Sequence, residues 1–437
     1  FDELKITPED FPKIEAEMQK IVSADFPFEK KEWTLADVKK LQGHNQYKIQ
    51  LANEFSAAGE KLTAYKDGEF IDLCEGPHIP RTGLIKAFKL LKIAGAFWKG
   101  DQKNKQLTRI YGIGFPAKKD LDAWVTMQEE ISKRDHRKLG AELELFMFHD
   151  YSPGSVFFLP KGMVIVNELQ KFIRGEYVKR GYDEVLTPQL FNKALFETSG
   201  HWGHYKQNMF LLNVDDEEFA LKPMNCPSHC LIFKNKSHSY RELPLKIADH
   251  TPLHRNEVRG ALGGLTRVRK MEMEDAHIFC TPDQIQQEIK AVLEFIKYVY
   301  LDVFKMPLAA TLATRPQDSM GSAELWQQAE EALAKSLDAE KMPYTVKPGD
   351  GAFYGPKIDF DVKDALGRSF TISTVQLDFQ MPERFELTYV DKDNSLKRPV
   401  MIHRAILSTF ERFVGLLTEH YAGKFPTWLS PVQCRVL

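Results

Sequence analysis

Two hydrophobic periods organise this chain into helices and strands. Leu121, Trp124, Val125 and Ile131 share one face of a predicted helix from Ala117 to Lys138, which ends in a basic turn and stops at Gly140, an expected left-handed cap. This charged helix reads as a linker. Ile165, Leu169, Phe172, Ile173 and Tyr177 make the next apolar stripe, up to Gly181. Thr281-Pro282 predicts the start of a helix faced by Ile285, Ile289, Val292, Ile296 and Val299, and Ser322 the start of another through Leu333. Strand signals lie between them. Glu184 to Thr187 reads as a strand ended by Pro188. KIDFDVK alternates Ile358, Phe360 and Val362 against charges, turns at ALGR and returns as SFTISTVQLDF, an antiparallel meander. In RPVMIHRAILSTFERFVGLLTEHY an apolar strand leads into a helix expected to carry His403 near its start and Arg412 two turns later. Strands interrupted by helices on one side predict an α+β fold with an antiparallel sheet.

The stretch 254 to 280, HRNEVRGALGGLTRVRKMEMEDAHIFC, reads as a hairpin with a glycine-rich basic tip. Arg255, Arg259 and Arg267 stand among Gly260, Gly263 and Gly264, and guanidinium forks on a flexible loop suit a polyphosphate. The return arm carries Glu272, Glu274, Asp275, His277 and Cys280, which suit an amine or a metal. A nucleotide phosphate beside a cationic partner is the layout for activating an amino acid; a solvated hairpin with alternating charges is the plainer alternative.

Composition narrows the class. With 437 residues, 43% hydrophobic and 27% charged, the chain predicts an ordinary globular protein of two or three domains. A formal charge of −2 excludes a global basic signature, so any nucleic-acid contact must come from local patches. Five scattered cysteines, Cys74, Cys226, Cys230, Cys280 and Cys434, suggest a reducing compartment. No apolar run is long enough to span a bilayer and the start lacks signal-peptide features, so a cytoplasmic enzyme with no membrane association is expected. The start without methionine and the abrupt end at QCRVL suggest a fragment.

Candidate chemistry is clustered in few places. DLCEGPH sets Asp72, Cys74 and His78 around a Gly-Pro turn, half of a metal or hydrolytic site or simply a buried thiol beside a surface histidine. His201 and His204 fall in a Gly-containing turn, and Cys226 and Cys230 near prolines that end strands. No local spacing motif joins Cys226, His277 and His403; only the inferred sheet brings them together. Arg255 and Arg412 are a pair of forks that suit opposite ends of a triphosphate, with an ordinary surface position the rival reading for Arg412.

The blocks LKPMNCPSH, HRNE with GLTRVR and DAHIFC, GAFYGPKIDF, TVQLDF, RPVMIHRAI with ER, and KFPTWLSPVQ resemble, in order, the class II aminoacyl-tRNA synthetases and among them the threonyl-tRNA synthetase family. The resemblance implies a seven-stranded antiparallel sheet flanked by helices, with residues 139–425 as catalytic domain, 117–138 as linker helix, 1–116 as the latter part of an α+β editing domain and 426–437 as the start of an anticodon-binding domain. It implies activation of threonine by ATP with Mg²⁺, transfer to tRNA(Thr), and a homodimer formed through the first class II motif, which ends at Pro188. It places Arg255, Glu257, Arg267, Met271 and Arg412 on ATP, and Met224, Asp275, Tyr354 and Gln376 on threonine. His201 falls near the tRNA 3′ end, and Cys226, His277 and His403 on one Zn²⁺ per chain. Valine, without a hydroxyl to chelate, would be rejected there and serine would not. Cys74 and His78, with Asp72 and Lys48, match part of the editing site; the family's paired histidines come earlier, so the stretch is expected not to clear seryl-tRNA. Met271, Met273, Ile372 and Ser408 depart from the family pattern and leave open a paralogue with an altered pocket. A non-catalytic tRNA-binding homologue is the other alternative, and it predicts loss of an arginine or a zinc ligand.

Overall fold

The computed structural model describes residues 1–2, 4–101 and 103–436; Glu3, Gln102 and Leu437, the last position of the 426–437 segment, lie outside the described residues. The chain forms two compact units, Phe1–Glu129 and Glu130–Leu437. In the first, the strands Glu29–Trp33, Leu62–Asp67 and Phe70–Leu73 pair antiparallel, and a long hairpin joins Ala87–Phe97 to Gln106–Phe115. A small core of Val38, Ala52, Leu62 and Leu73 holds the three-stranded sheet to the helices Leu35–Gln42 and Gln46–Ala57.

The second unit is built on one large sheet. Its strands run in the order Tyr344–Lys347, Leu308–Ala313, Lys357–Lys363, Ser369–Asp378, Val400–Thr409, Lys270–Cys280, Leu245–Asp249 and Asp183–Val185. The central pairings are antiparallel, and the outermost pair on each side is parallel. Alternation decides the faces: Ile358, Phe360 and Val362 are fully buried in the main core, which turns Lys357 and Asp359 to the opposite side. The helix Ile285–Lys297 buries Ile285, Ile289, Val292 and Ile296 in the same core, as the apolar stripe predicts, and Ser322 caps the helix Ala323–Ala339 through Leu325 N–H. The helix Pro160–Arg180 ends at Gly181 in the left-handed region.

Several local expectations are corrected. Gly140 is no cap but lies inside a second helix, His136–Glu142; the first, Lys118–Arg134, breaks at Asp135, whose Oδ1 accepts from Arg137 N at 2.8 Å. Glycine is needed there because a Cβ would come within 2.3 Å of the Phe146 ring. Cys226 and Cys230 stand not at strand ends but on the helix Cys226–Lys234, with Pro227 in its first turn. His201 and His204 bound a one-turn helix rather than a plain turn. His403 is on the strand Val400–Thr409, not on a helix; every residue of that strand is buried, so its two covered faces erase the alternation that marks a strand. The helix starts only at Phe410, where Thr409 Oγ1 accepts from Arg412 N. The predicted 184–187 strand is Asp183–Val185.

Candidate active site

A cavity of about 320 Å³ opens on the sheet face opposite the main core. The strands Lys270–Cys280 and Val400–Thr409 cross it side by side, and their register sets His277 directly against His403 and Asp275 against Ala405. Helix Cys226–Lys234 adds Cys226 from its first turn. Metal-binding atoms of Cys226, His277 and His403 all lie within 4.8 Å of one another, and all three residues are buried. Cys230, the tempting local partner, instead points at Met401 within an apolar cluster.

The donor set fits a zinc ion. His403 Nε2 donates to Asp378 Oδ2 at 2.9 Å, and the other oxygen of Asp378 accepts from Gln380 N and Met381 N. A carboxylate behind a histidine orients it and leaves the far nitrogen free to coordinate. That nitrogen, Nδ1, is 3.0 Å from His277 Nε2. Burial above all holds His277 well below the usual imidazole range and so neutral, the form that binds metal. Burial pushes the Cys226 thiol well above its ordinary value, with Asp275 acting in the same direction. A bound cation would offset that cost for the thiolate, adding to the helix N-terminus on which Cys226 sits.

Around this trio the same cavity is lined by Met224, Arg255, Met273, Asp275, Tyr354, Gln376, Ser408 and Arg412. Burial raises the Asp275 carboxyl above its ordinary range, against the pull of His229 and His403 and a bond from Asn225 Nδ2 at 3.2 Å. Tyr354 donates to Gln376 Oε1 at 2.6 Å. Arg412 is largely buried, and its Nε has no protein partner among the described residues, a donor left for a ligand. His201 is fully buried, 3.1 Å from Met224 Sδ and 2.8 Å from Ser199 Oγ; burial, then His403 and Arg255, lower it to about 3, a neutral base at physiological pH.

Not every expected residue lines the cavity: His201, wholly buried against Met224, is not among its walls. Arg267 and Glu257 pair with each other at 2.9 Å, and Met271 packs against Leu253, Val268 and Met273. Sequence reading missed Lys357, Asp359, Thr371 and Thr374, which also line it. The alternation in KIDFDVK carried the signal, since it sends Lys357 and Asp359 away from the core. Glu274, expected to face an amine or a metal, is instead a buried support: it sits where a bulge shifts the register between Met273 and Asp275, pairs with the fully buried Arg404, and accepts from Ile406 N and Leu407 N. This clamp sets the strand end where Ser408 takes a left-handed φ of 58° just before Arg412. Truncating either partner of such a pair costs about 3–5 kcal/mol.

In the first unit Cys74 Sγ lies 3.2 Å from His78 Nε2, while Lys48 Nζ bonds Asp72 Oδ2 and Leu73 O, each at 2.8 Å. The four residues singled out there thus form two neighbouring pairs.

Comparison with known proteins gives the class first. The tRNA synthetase class II core domain (G, H, P, S and T) matches residues 208–421, and the threonyl and alanyl tRNA synthetase second additional domain matches residues 62–111. The second unit is a class II synthetase core, and the first contains an editing-type domain. A threonine–tRNA ligase of Caldanaerobacter subterraneus subsp. tengcongensis is 51% identical over 439 residues, covering 100% of this chain and 68% of that protein. One of Thermotoga petrophila is 49% identical over 434 residues, 99% of this chain and 67% of that protein. A solved structure described as the RNA binding domain of threonyl-tRNA synthetase from Cryptosporidium parvum superposes with a TM-score of 0.67 at 49% identity, over 68% of this chain and 74% of that one. The chain belongs to the threonine–tRNA ligase family of ATP-dependent aminoacyl-tRNA synthetases, and it spans about two thirds of the length of those relatives. Among the described residues no helix is long and apolar enough to cross a membrane.

Proposed function

We propose that this chain activates threonine with ATP, releasing pyrophosphate, and transfers the threonyl group to the 3′ end of tRNA(Thr). One observation carries this reading: the buried Cys226, His277 and His403 trio shares its cavity with Asp275, Arg255 and Arg412. Arg255 and Arg412 bind the phosphates of Mg-ATP and stabilise the charge that develops as the threonine carboxylate attacks the α-phosphorus. Glu257, Arg267 and Met271 act on the nucleotide side once the loop has rearranged around it. Asp275 accepts from the threonine hydroxyl, Tyr354 and Gln376 orient the substrate, and Met224 packs beside it. Neutral His201 takes the proton of the attacking tRNA hydroxyl. Cys226, His277 and His403 would hold zinc, which supplies Lewis-acid coordination to the amine and hydroxyl of threonine. Selection then follows from chemistry: valine leaves a coordination position and Asp275 unmatched, and serine matches both. The helix and strand before Pro188 form a homodimer contact, and Lys48, Asp72, Cys74 and His78 are part of an editing site.

ATP–pyrophosphate exchange with threonine, serine and valine tests the reading. Strong exchange with threonine, weaker with serine and none with valine is expected; no threonine-dependent exchange overturns it. A paralogue with an altered pocket is the second reading, favoured by Met273, Ile372 and Ser408 lining the cavity. Threonine-dependent exchange at a normal rate overturns that one in its altered-substrate form.

A further inference from the structure

Behind the candidate metal ligands stands a histidine with no part in the reaction described so far. His229 lies one turn beyond Cys226 on the helix Cys226–Lys234 and is wholly buried. Its Nδ1 is 2.8 Å from Nδ1 of His277, with the two rings edge to face at 87°. Its Nε2 makes no hydrogen bond among the described residues and faces Asp249 Oδ2 at 3.6 Å, an electrostatic contact. Asp249 is itself anchored: Oδ1 accepts from Thr251 N at 2.7 Å, and Oδ2 from Thr187 Oγ1 at 2.5 Å, with Lys222 Nζ 3.5 Å away.

With His229 in the neutral tautomer that turns an N–H towards the Asp249 carboxylate, the donor inventory assigns the remaining protons. A carboxylate only accepts, so the His229 nitrogen facing Asp249 carries hydrogen, and Nδ1 of the neutral ring is left as an acceptor. His277 Nδ1 must then donate to it, which leaves His277 Nε2 with a lone pair directed at His403 Nδ1, 3.0 Å away. His403 reaches the same condition from the other side, because its Nε2 donates to Asp378. Two carboxylates, one acting through one imidazole and the other through two, leave a lone pair on each of these two nitrogens, and Cys226 offers its own ligand atom within 4.8 Å of both. Facing lone pairs at that distance repel unless a cation lies between them.

We propose that His229, facing Asp249, is a positioning residue that sets the tautomer of His277 and thereby the metal affinity of the Cys226, His277 and His403 trio. The inference rests on the zinc reading above and deepens it. Both lone pairs are preset by the protein, so the ligands do not have to exchange protons before they bind.

Competition of the purified chain against a chromophoric zinc chelator, with the d–d spectrum of the Co²⁺-loaded chain as second readout, tests it. His229→Leu, which cannot accept from His277, is expected to weaken zinc about 10- to 100-fold, the range for loss of an orienting partner, and to alter the Co²⁺ spectrum. His229→Asn, whose Oδ1 falls near the place of Nδ1, is expected to restore most of the affinity. Equal affinity and spectra for the unmodified chain and both variants would overturn the relay alone. Should His229→Leu not fold, His229→Gln replaces it, because its amide reaches toward Asp249 and leaves His277 unmatched; affinity equal to that of His229→Asn again overturns the relay. An unmodified chain that takes up no zinc overturns the zinc reading itself.

Discussion

Each compact unit brings a cysteine and a histidine together, and the surroundings of the two pairs are opposite. Cys74 and His78 stand four residues apart on one partly exposed loop, with His78 stacked on Phe28 and edge-on to Tyr65. Cys226, His277 and His403 come from a helix and two strands, with His277 and His403 126 residues apart, and are buried. Behind the second set lie Asp378 and the His229–Asp249 pair; beside the first, Asp72 is engaged by Lys48. A pair held by loop geometry keeps its reactivity, whereas ligands locked by strand register and backed by carboxylates are suited to hold an ion in one geometry.

Alkylation shows the contrast most strongly. Cys230 and Cys280 are buried and burial pushes both thiols up, whereas Cys74 is partly exposed and Cys434 exposed. Iodoacetamide at pH 8 should modify Cys74 and Cys434 at least about 10³-fold faster than Cys230 and Cys280, which react only through local opening. Peptide mass mapping over time checks this; similar rates for all four would remove the distinction between the two regions.

Metal retention follows. Cys226→Ser is expected to lower zinc affinity more than about 100-fold, above the effect of losing an orienting group. Cys74→Ser is expected to leave the zinc content of the folded chain unchanged. A loss of zinc in the second variant and not in the first would reverse the comparison. One step further out, Asp378→Asn keeps the shape but offers His403 an amide, and about 10- to 100-fold weaker zinc binding is expected from chelator competition. Lys48→Met, which frees Asp72, should change nothing in that assay.

The same comparison explains what could be read from the sequence. Cys74 and His78 are legible because their chemistry is local. The sheet was legible too, in the alternation of Lys357 to Lys363, and so were two helices, in the stripes at Ile285 and Ile165, because one covered face leaves a period. Val400–Thr409 is covered on both faces, so its period vanished and His403 was misplaced onto a helix. The trio is a product of register between distant strands, and no spacing within the chain encodes it; the family resemblance supplied it. His229 was within reach, since residues three apart on a helix share a face and Cys226 was already singled out. The helix itself was hidden by Pro227, read as the end of a strand.

Backbone strain gives the finest test of how rigidly the second region is held. Ser408 sits at φ 58°, a left-handed conformation that costs a residue with a Cβ about 1–2 kcal/mol, and it lines the cavity between the Glu274 clamp and Arg412. The clamp explains why the strain persists, because Glu274 fixes the amides of Ile406 and Leu407 whatever residue follows. Ser408→Gly relieves the steric cost in the folded state and adds freedom to the unfolded one, and these oppose each other, so a net gain of about 1 kcal/mol or less is expected. Urea unfolding should show the midpoint rising with the slope unchanged. A clear destabilisation would mean that the serine side chain itself contributes a contact worth more than the strain it carries.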